Sequence, residues 1–575
     1  MSKKTPDTLR SKRWFGGTPS STEHTSHVLQ AGLSREEFEG RPVIGIINTW
    51  SDMNPCHAHL RDRAEAVKRG VWQAGGYPVE MPAMSLAEGY VKPAAMFYRN
   101  FLAMETEELL RCHPIDGAIL IGGCDKTTPA LLMGAISMNI PAIYCPAGFT
   151  MSARHGGESF GSGTGPFRWA PELISGRIDL DEWKEIEQKI WSSPGTCNVM
   201  GTASTMTALA ETLGMSIPGA SSVPAMDSRG HQLAAQAGRR IVEMVWEDLK
   251  PSDIITDNSV TNAAKISVSL GGSTNAAIHL VAVARRAGSK FTLEDFDAIG
   301  RQIPVMANVQ PSGNYLMQDF SDAGGLRALM TQLTDHLDLD CMTITGKTLG
   351  ENIKGAKIAD SDVIRSIDNP VATQALAVLK GNLAVDGCVI KPSAASEHLL
   401  KHRGKAVVFE NADDLAARIH SPDLPVDENS VLVLRNVGPL GGPGMAENGM
   451  MPLPKKLIDQ GIQDVVRISD ARMSGTSFGT CILHVSPESA IGGVLALVQD
   501  GDEIELDVPA RSITLCVDDS VIEQRRQAWV APEPHYKRGW GKFFSQNVNQ
   551  AHEGCDFDIL ASREHNPEPP IHGKL

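Results

Sequence analysis

The chain has 575 residues, 42% hydrophobic and 21% charged, an ordinary globular composition too long for one core, so two to four domains are expected. A net charge of −15 argues against nucleic acid or an anionic membrane as partner, yet leaves room for a small anionic substrate where a bound metal ion reverses the local field. No apolar run approaches the roughly 18 residues that span a bilayer, and the cations Lys3, Lys4, Arg10, Lys12 and Arg13 precede no apolar signal stretch, so the expectation is a cytoplasmic protein.

From residue 42 onward, strand and helix signals alternate. Val43 to Asn48 is a short apolar run bounded by turn residues, and His59 to Gln73 carries apolar residues at helical spacing before the stop at Gly75-Gly76. Tyr77 to Met81 reads as a strand, and Pro93 to Arg111 as a helix with proline in its first turn. Ala118 to Ile121 is a buried strand, followed by a helix to about Ser137 and a strand over Pro141 to Tyr144. Such β-α-β units predict a mainly parallel sheet covered by helices. Gly156 to Gly165 holds too many glycines for regular structure and lacks the ending of a phosphate loop, so it reads either as an active-site loop or as a connector. Gly201 to Leu213 is an amphipathic helix whose N-terminus faces Cys197, and Gly271 to Asn275 opens another helix in a mostly helical middle section.

After about residue 366 short β-rich runs take over: Ala406–Phe409, Val431–Leu434, Val465–Ile468, Cys481–Val485 and Glu503–Val508. The fold class expected is therefore α/β: an N-terminal, mainly parallel sheet domain over 1–365, then a C-terminal β-barrel-type domain over 366–575. Two loops of this second part, Gly441 to Glu447 and Ser469 to Ser477, carry polar groups that can face the first domain's crevice.

Ten cysteines in so long a chain make no disulfide scaffold. Those in apolar runs, such as Cys388 and Cys516, read as core thiols. Cys56, Cys124 and Cys197 differ, because each lies among Gly, Pro, Asn or Thr at a turn before a helical pattern. The turn Gly122-Gly123-Cys124-Asp125-Lys126-Thr127 sets a soft thiol, a hard carboxylate and an amine in a row at the end of a strand, where α/β sheets open their crevice. By itself it is equally a glycine turn with a buried cysteine and an Asp helix cap. The three cysteines lie tens of residues apart, unlike the C-x2-C clusters of zinc ribbons and ferredoxins. Three separated thiols would hold a cluster one protein ligand short, leaving an iron open to act as a Lewis acid.

Five motifs in order make a resemblance specific: Asn54-Pro55-Cys56, Gly122 to Thr127, Gly195 to Ala203, Gly442 to Glu447, and Asp470 to Thr476. They resemble the dihydroxy-acid and sugar-acid dehydratases, from about residue 14 to about 530. Trp14 to Thr18, Asn48 to Asp52 and Met96 to Asn100 look most like the pentonate branch, the arabinonate and xylonate dehydratases. The resemblance implies that Cys56, Cys124 and Cys197 hold an iron–sulfur cluster, of the 2Fe-2S type in that branch. It implies Mg2+ at Glu88, Asp125 and Glu447, with Lys126 as a carbamate; an unmodified lysine would repel the ion. It implies Ser474 as the base and Thr476 beside the substrate.

The implied chemistry has magnesium gripping the carboxylate and C2 hydroxyl of a sugar acid while Ser474, as alkoxide, removes the C2 proton. The cluster, as Lewis acid without redox change, takes the C3 hydroxyl, and the enol becomes a 2-keto-3-deoxy acid. A homodimer or homotetramer is implied as well. Two alternatives stand beside the pentonate reading: the branched-chain dihydroxy-acid dehydratase, whose pocket would be apolar at its far end, and a non-enzymatic iron–sulfur sensor. Phosphogluconate dehydratase ranks lower, since no added basic cluster suits a phosphate.

Overall fold

The computed structural model describes residues 3–17, 19–561 and 566–571. Its first sheet is four-stranded and wholly parallel, in the order β2-β1-β3-β4, with β1 Val43–Asn48, β2 Tyr77–Pro82, β3 Gly117–Gly122 and β4 Ala142–Pro146. β1, β3 and β4 are buried at every position, as strands covered on both faces must be. Helices Leu60–Gln73 and Ser228–Glu247 cross at near backbone contact: a Cβ on Gly70 would lie 2.0 Å from the Ala235 carbonyl oxygen. Helix Thr127–Met138 ends at Asn139, which takes the left-handed conformation (φ 53°) that asparagine tolerates. Because the strands are parallel, the turns after β1 and β3 open on one edge of the sheet. They carry Cys56 and Cys124. Cys197 joins them because the Thr196 N–H donates to the Gly148 carbonyl (2.9 Å) and the Thr150 N–H to that of Thr196 (2.8 Å), just beyond β4.

A short antiparallel hairpin, β5 Ala153–His155 and β6 Glu158–Phe160, follows. This corrects the expectation of no regular structure: Gly156 and Gly157 both take positive φ, which suits a two-residue hairpin turn, and Gly165 begins helix Gly165–Ile174. The expected helix from Pro93 starts only at Arg99, after a single 3-10 turn over Ala95–Tyr98.

The remaining eight strands close into a barrel, in the order β10-β11-β12-β8-β7-β14-β13-β9. They are β7 Ala377–Gly381, β8 Ala384–Ile390, β9 Lys401–Phe409, β10 Val431–Leu434, β11 Val466–Ser469, β12 Cys481–Ser486, β13 Glu503–Asp507 and β14 Ser512–Leu515. Leu379, Cys388, Ile390, Val433, Ile468, Ile482 and Ile504 cluster in its core. β9, β10, β11 and β12 run parallel, so the loops after β10 and β11 leave the same end of the barrel. Those are the two polar loops, Gly441 to Glu447 and Asp470 to Ser477. Cys388 is a core thiol as expected, whereas Cys516, one residue past β14, is exposed.

The segment after residue 530 packs on its own chain. Phe544 and Phe557 surround Phe97, Asp556 forms a fully buried ion pair with Arg286 (2.6 Å), and Arg99 donates to the Gly554 and Cys555 carbonyls. His565 and His572 lie outside the described residues. No helix among the described residues is long and apolar enough to cross a membrane.

Glu488 anchors the loop that carries Glu447. It accepts from the N–H groups of Leu440 and Gly441 (2.9 Å each) and from Gln550 Nε2 (2.9 Å). Burial, with nearby Asp470 adding to it, pushes its pKa up to about 7. The folded state therefore holds a proton that the unfolded chain releases near pH 4.5, so stability falls as pH rises from about 4.5 to 7. Glu488→Gln should flatten that part of the pH–stability curve, measured by denaturant midpoints across pH 4.5–8.

Candidate active site

The site lies in the seam between the sheet's carboxyl edge and the barrel's loops, and its centre is the turn after β3. Cys124 itself takes a positive φ of 48°, which turns the chain sharply between strand and helix. Gly123 has no room for a side chain: a Cβ there would lie 2.7 Å from both Ala147 Cβ and Thr196 Cγ2. The Cys197 loop thus rests directly on the Cys124 turn.

The three thiols gather here. None of the ten cysteines is in a disulfide. The Cys56 thiol is pushed well above its ordinary range, first by a hydrogen bond with Cys124, then by burial and by the charges of Cys124, Cys197 and Asp125. Burial raises Cys197 likewise, with Asp125, Cys124 and Glu447 adding to it. Ser162, within the glycine-rich segment, reaches Cys197 too, and the Ser162 N–H donates to Asn198 Oδ1 (2.8 Å). That segment is therefore part of the site's wall.

The acids meet from three loops. Lys126 is fully buried and its Nζ lies 3.0 Å from Glu88 Oε2, 3.2 Å from Asp125 Oδ2 and 3.3 Å from Glu447 Oε1. Arg472, also fully buried, reaches Glu447 Oε1 at 2.9 Å and Glu88 Oε1 at 3.3 Å. Carboxylate oxygens of Glu88, Asp125 and Glu447 all lie within 4.8 Å of one another, a spacing that can hold a metal ion. Burial opposes the charge of Glu88, Lys126, Glu447 and Arg472. For Glu88, Lys126 and Arg472 outweigh it and hold the carboxyl at about 2. For Lys126 the three carboxylates outweigh burial and Arg472, so its pKa lies above the ordinary lysine value. Glu447 is raised, by burial first and then by Glu88. Glu88 Oε2, although 3.0 Å from the ammonium, accepts no hydrogen bond of acceptable geometry. An unsatisfied buried carboxylate oxygen beside two others fits a cation, and a separate trio of thiols fits a softer metal.

From the barrel side comes Ser474. Its Oγ lies 2.8 Å from Thr476 Oγ1 and accepts from the Thr476 N–H at 3.4 Å. Gly475 presses against the start of helix Thr202–Thr212, where a Cβ would meet Thr202 N at 2.5 Å, and Asn275 Nδ2 donates to the Met473 carbonyl (3.1 Å). Thr476 closes on Gly163 and Gly201, whose Cβ positions would lie 2.3 and 2.9 Å from its methyl group. The structure thus brings Cys56, Cys124 and Cys197 together, gathers Glu88, Asp125, Lys126 and Glu447 beside them, and sets Ser474 and Thr476 against Gly163 and Gly201, which flank the Cys197 turn. Beside Thr164 and Phe478 a cleft of about 990 Å3 opens, lined also by Arg168, Gln310, Met450 and Arg467.

Sequence reasoning assigned no role to Arg472, though it stands inside a quoted motif. It also passed over His57, adjacent to Cys56. His57 is fully buried, and burial lowers its pKa to about 4, so it is neutral near pH 7. A cation or imidazole within a cysteine- or serine-bearing loop was the available signal in both cases.

Comparison with known proteins agrees with this geometry. Residues 41–352 match the dihydroxy-acid/6-phosphogluconate dehydratase N-terminal family, and residues 362–555 match its C-terminal counterpart. The chain is 51% identical to the 6-deoxy-6-sulfo-D-gluconate dehydratase of Pseudomonas putida, with 98% of each chain covered. It is 46% identical to the L-arabinonate dehydratase of Rhizobium leguminosarum bv. trifolii (96% of each). It is 38% identical to a dihydroxy-acid dehydratase of Caldanaerobacter subterraneus subsp. tengcongensis (93% of this chain, 97% of the relative). With both halves matched in order and identity near one half over nearly the whole length, the chain belongs to the dihydroxy-acid/6-phosphogluconate dehydratase family of hydro-lyases.

Proposed function

We propose that this protein dehydrates a sugar acid, an aldonate and in the first reading a pentonate, to the corresponding 2-keto-3-deoxy acid. The observation that carries the reading is the turn at Cys124-Asp125-Lys126, where a thiol trio and a carboxylate trio meet. Cys56, Cys124 and Cys197 would hold an iron–sulfur cluster, of the 2Fe-2S type. Glu88, Asp125 and Glu447 would hold Mg2+, joined by Lys126 once carbamylated. Carbamylation would exchange the ammonium for an anion and leave Arg472 alone against four negative groups, a balance that a divalent cation restores. When bound, these groups would act as Lewis acids at the C2 and C3 oxygens.

The chain's own residues supply the rest. Ser474 Oγ removes the C2 proton, and the Thr476 hydroxyl and N–H stabilise the oxygen that takes it. The C3 hydroxyl leaves, protonated, as water, so that loss of C2–H and C3–OH gives an enol that rearranges to the ketone. Arg472 keeps Glu88 and Glu447 ionised and fixed. The seam excludes water because Gly163, Gly201 and Gly475 let the loops close to backbone contact.

Relatives at 51% and 46% identity carry sugar-acid names, against 38% for the dihydroxy-acid dehydratase, and this supports the sugar-acid reading. A second reading, a hexonate ending in an anion, draws on the 51% relative and on Arg168 and Arg177 in the same cleft. Anaerobically purified protein should be assayed for 2-keto acid on pentonates, hexonates with and without a terminal anion, and 2,3-dihydroxyisovalerate. The greatest kcat/KM is expected on a pentonate; a maximum on dihydroxyisovalerate overturns the sugar-acid reading. Ser474→Ala should cut kcat by about 10³-fold or more while the visible cluster spectrum persists, a loss typical of removing an activated nucleophile or base. Loss of the spectrum as well would reduce Ser474 to a structural role. The reading includes a homodimer or homotetramer, which light scattering on the eluting protein should find; a monomer at micromolar concentration contradicts it.

A further inference from the structure

The His57 imidazole bonds to backbone on both of its nitrogens. Nδ1 lies 2.9 Å from the Thr49 carbonyl oxygen, which can only accept, so Nδ1 carries the proton. Nε2 lies 3.0 Å from the Gly123 N–H, which can only donate, so Nε2 is the acceptor. The same Nδ1 edge contacts Ser85 Oγ (3.2 Å), and Ser85 Oγ in turn donates to Thr49 O (2.5 Å) and accepts from Asn54 Nδ2 (3.0 Å). Each partner starts a different arm of the site. Residue 57 follows Cys56; Gly123 precedes Cys124, Asp125 and Lys126; Ser85 stands three residues before Glu88.

We propose that His57 is a positioning residue that sets the thiol trio and the carboxylate trio in register, one ring bracing the Cys56 turn, the Cys124–Lys126 turn and the Glu88 loop. The proposal rests on the ligand assignments above. Gly123 cannot brace the turn by packing of its own, since it has no side chain and no room for one. Among the described residues its N–H is held by this ring alone, and with the ring gone that donor loses its partner. Thr49 reinforces the brace: its hydroxyl donates to the Ile121 carbonyl at the end of β3 (2.9 Å), so the residue that orients the imidazole is tied to the strand feeding the turn. Groups that orient metal ligands commonly change metal affinity by about 10–100-fold when removed.

Two isosteric variants separate the arms. The Asn amide nitrogen can replace Nδ1 but cannot reach Gly123, and the Gln oxygen can replace Nε2. After anaerobic reconstitution, the cluster is read by its visible absorbance per chain and its rate of loss to a chelator, and the second site by Mn2+ affinity from electron paramagnetic resonance. In His57→Asn, cluster loss about 10–100-fold faster and Mn2+ binding weaker by a similar factor are expected, with His57→Gln recovering most of the cluster's lifetime. Ser85→Ala, which cuts the tie to the Glu88 loop and, on the Cys56 side, only one bond to Asn54, should weaken Mn2+ binding and shorten cluster lifetime far less than His57→Asn; it serves also if His57 variants fold poorly. Wild-type values for both metals in His57→Asn, or unchanged Mn2+ affinity in Ser85→Ala, overturn the proposal. Wild-type protein that takes up neither cluster nor Mn2+ instead refutes the ligand assignment on which it rests.

Discussion

The constraint on which the structure turns is the gathering of five charges at one point, two of them fully buried. Glu88, Asp125 and Glu447, each partly buried, come from three different loops, and the fully buried Lys126 and Arg472 meet them. Desolvating a single ion costs several kcal/mol, so none of these side chains can occupy its place without the others. The two bodies of the chain are therefore locked together electrostatically as well as by packing: Arg472 and Glu447 belong to barrel loops, Glu88, Asp125 and Lys126 to the sheet. The pKa directions follow from that geometry. Two cations shared among three acids keep Glu88 ionised and leave Glu447 the easier to protonate.

Close approach of backbone makes this concentration of charge geometrically attainable. Gly123 admits the Cys197 loop, Gly475 admits the helix start at Thr202, and Gly163 and Gly201 admit Thr476. At each point a single methyl group would meet a neighbour at 2.3–2.9 Å, which folded proteins do not tolerate without backbone movement. Parallel strands do the rest. They direct the turns after β1 and β3 to one edge of the sheet, while the parallel part of the barrel, β9 to β12, sends its own two loops out of one end. Two different architectures thus present their loops to a common seam.

Much of this was legible before any coordinates. The apolar runs of β1, β3 and β4 bounded by turn residues could only be buried strands, and the odd company kept by Cys56, Cys124 and Cys197 marked them out from core thiols such as Cys388. Elements were misread where local pattern is ambiguous. Glycine crowding hid the β5–β6 hairpin, although paired glycines are what such a turn needs. Proline at 93 suggested a helix start that the chain defers to Arg99. Strands β8 and β14 passed for mere surroundings of Cys388 and Cys516, and β7 drew no notice, because short apolar runs carry no periodicity of their own.

Residue type and order determined the chemistry available: which side chains could bind soft or hard metals, which serine stood in a polar loop, and that a sheet domain precedes a barrel. Tertiary structure alone decided that Glu88, Asp125 and Glu447 share one cation-sized space, that Arg472 completes the balance of charge, and that His57 reaches Gly123 and Ser85 at once. The reason is physical. Backbone preference and hydrophobic pattern act over a few residues and are written locally, whereas desolvation and Coulomb terms depend on distances between segments hundreds of residues apart, which exist only once the chain has folded.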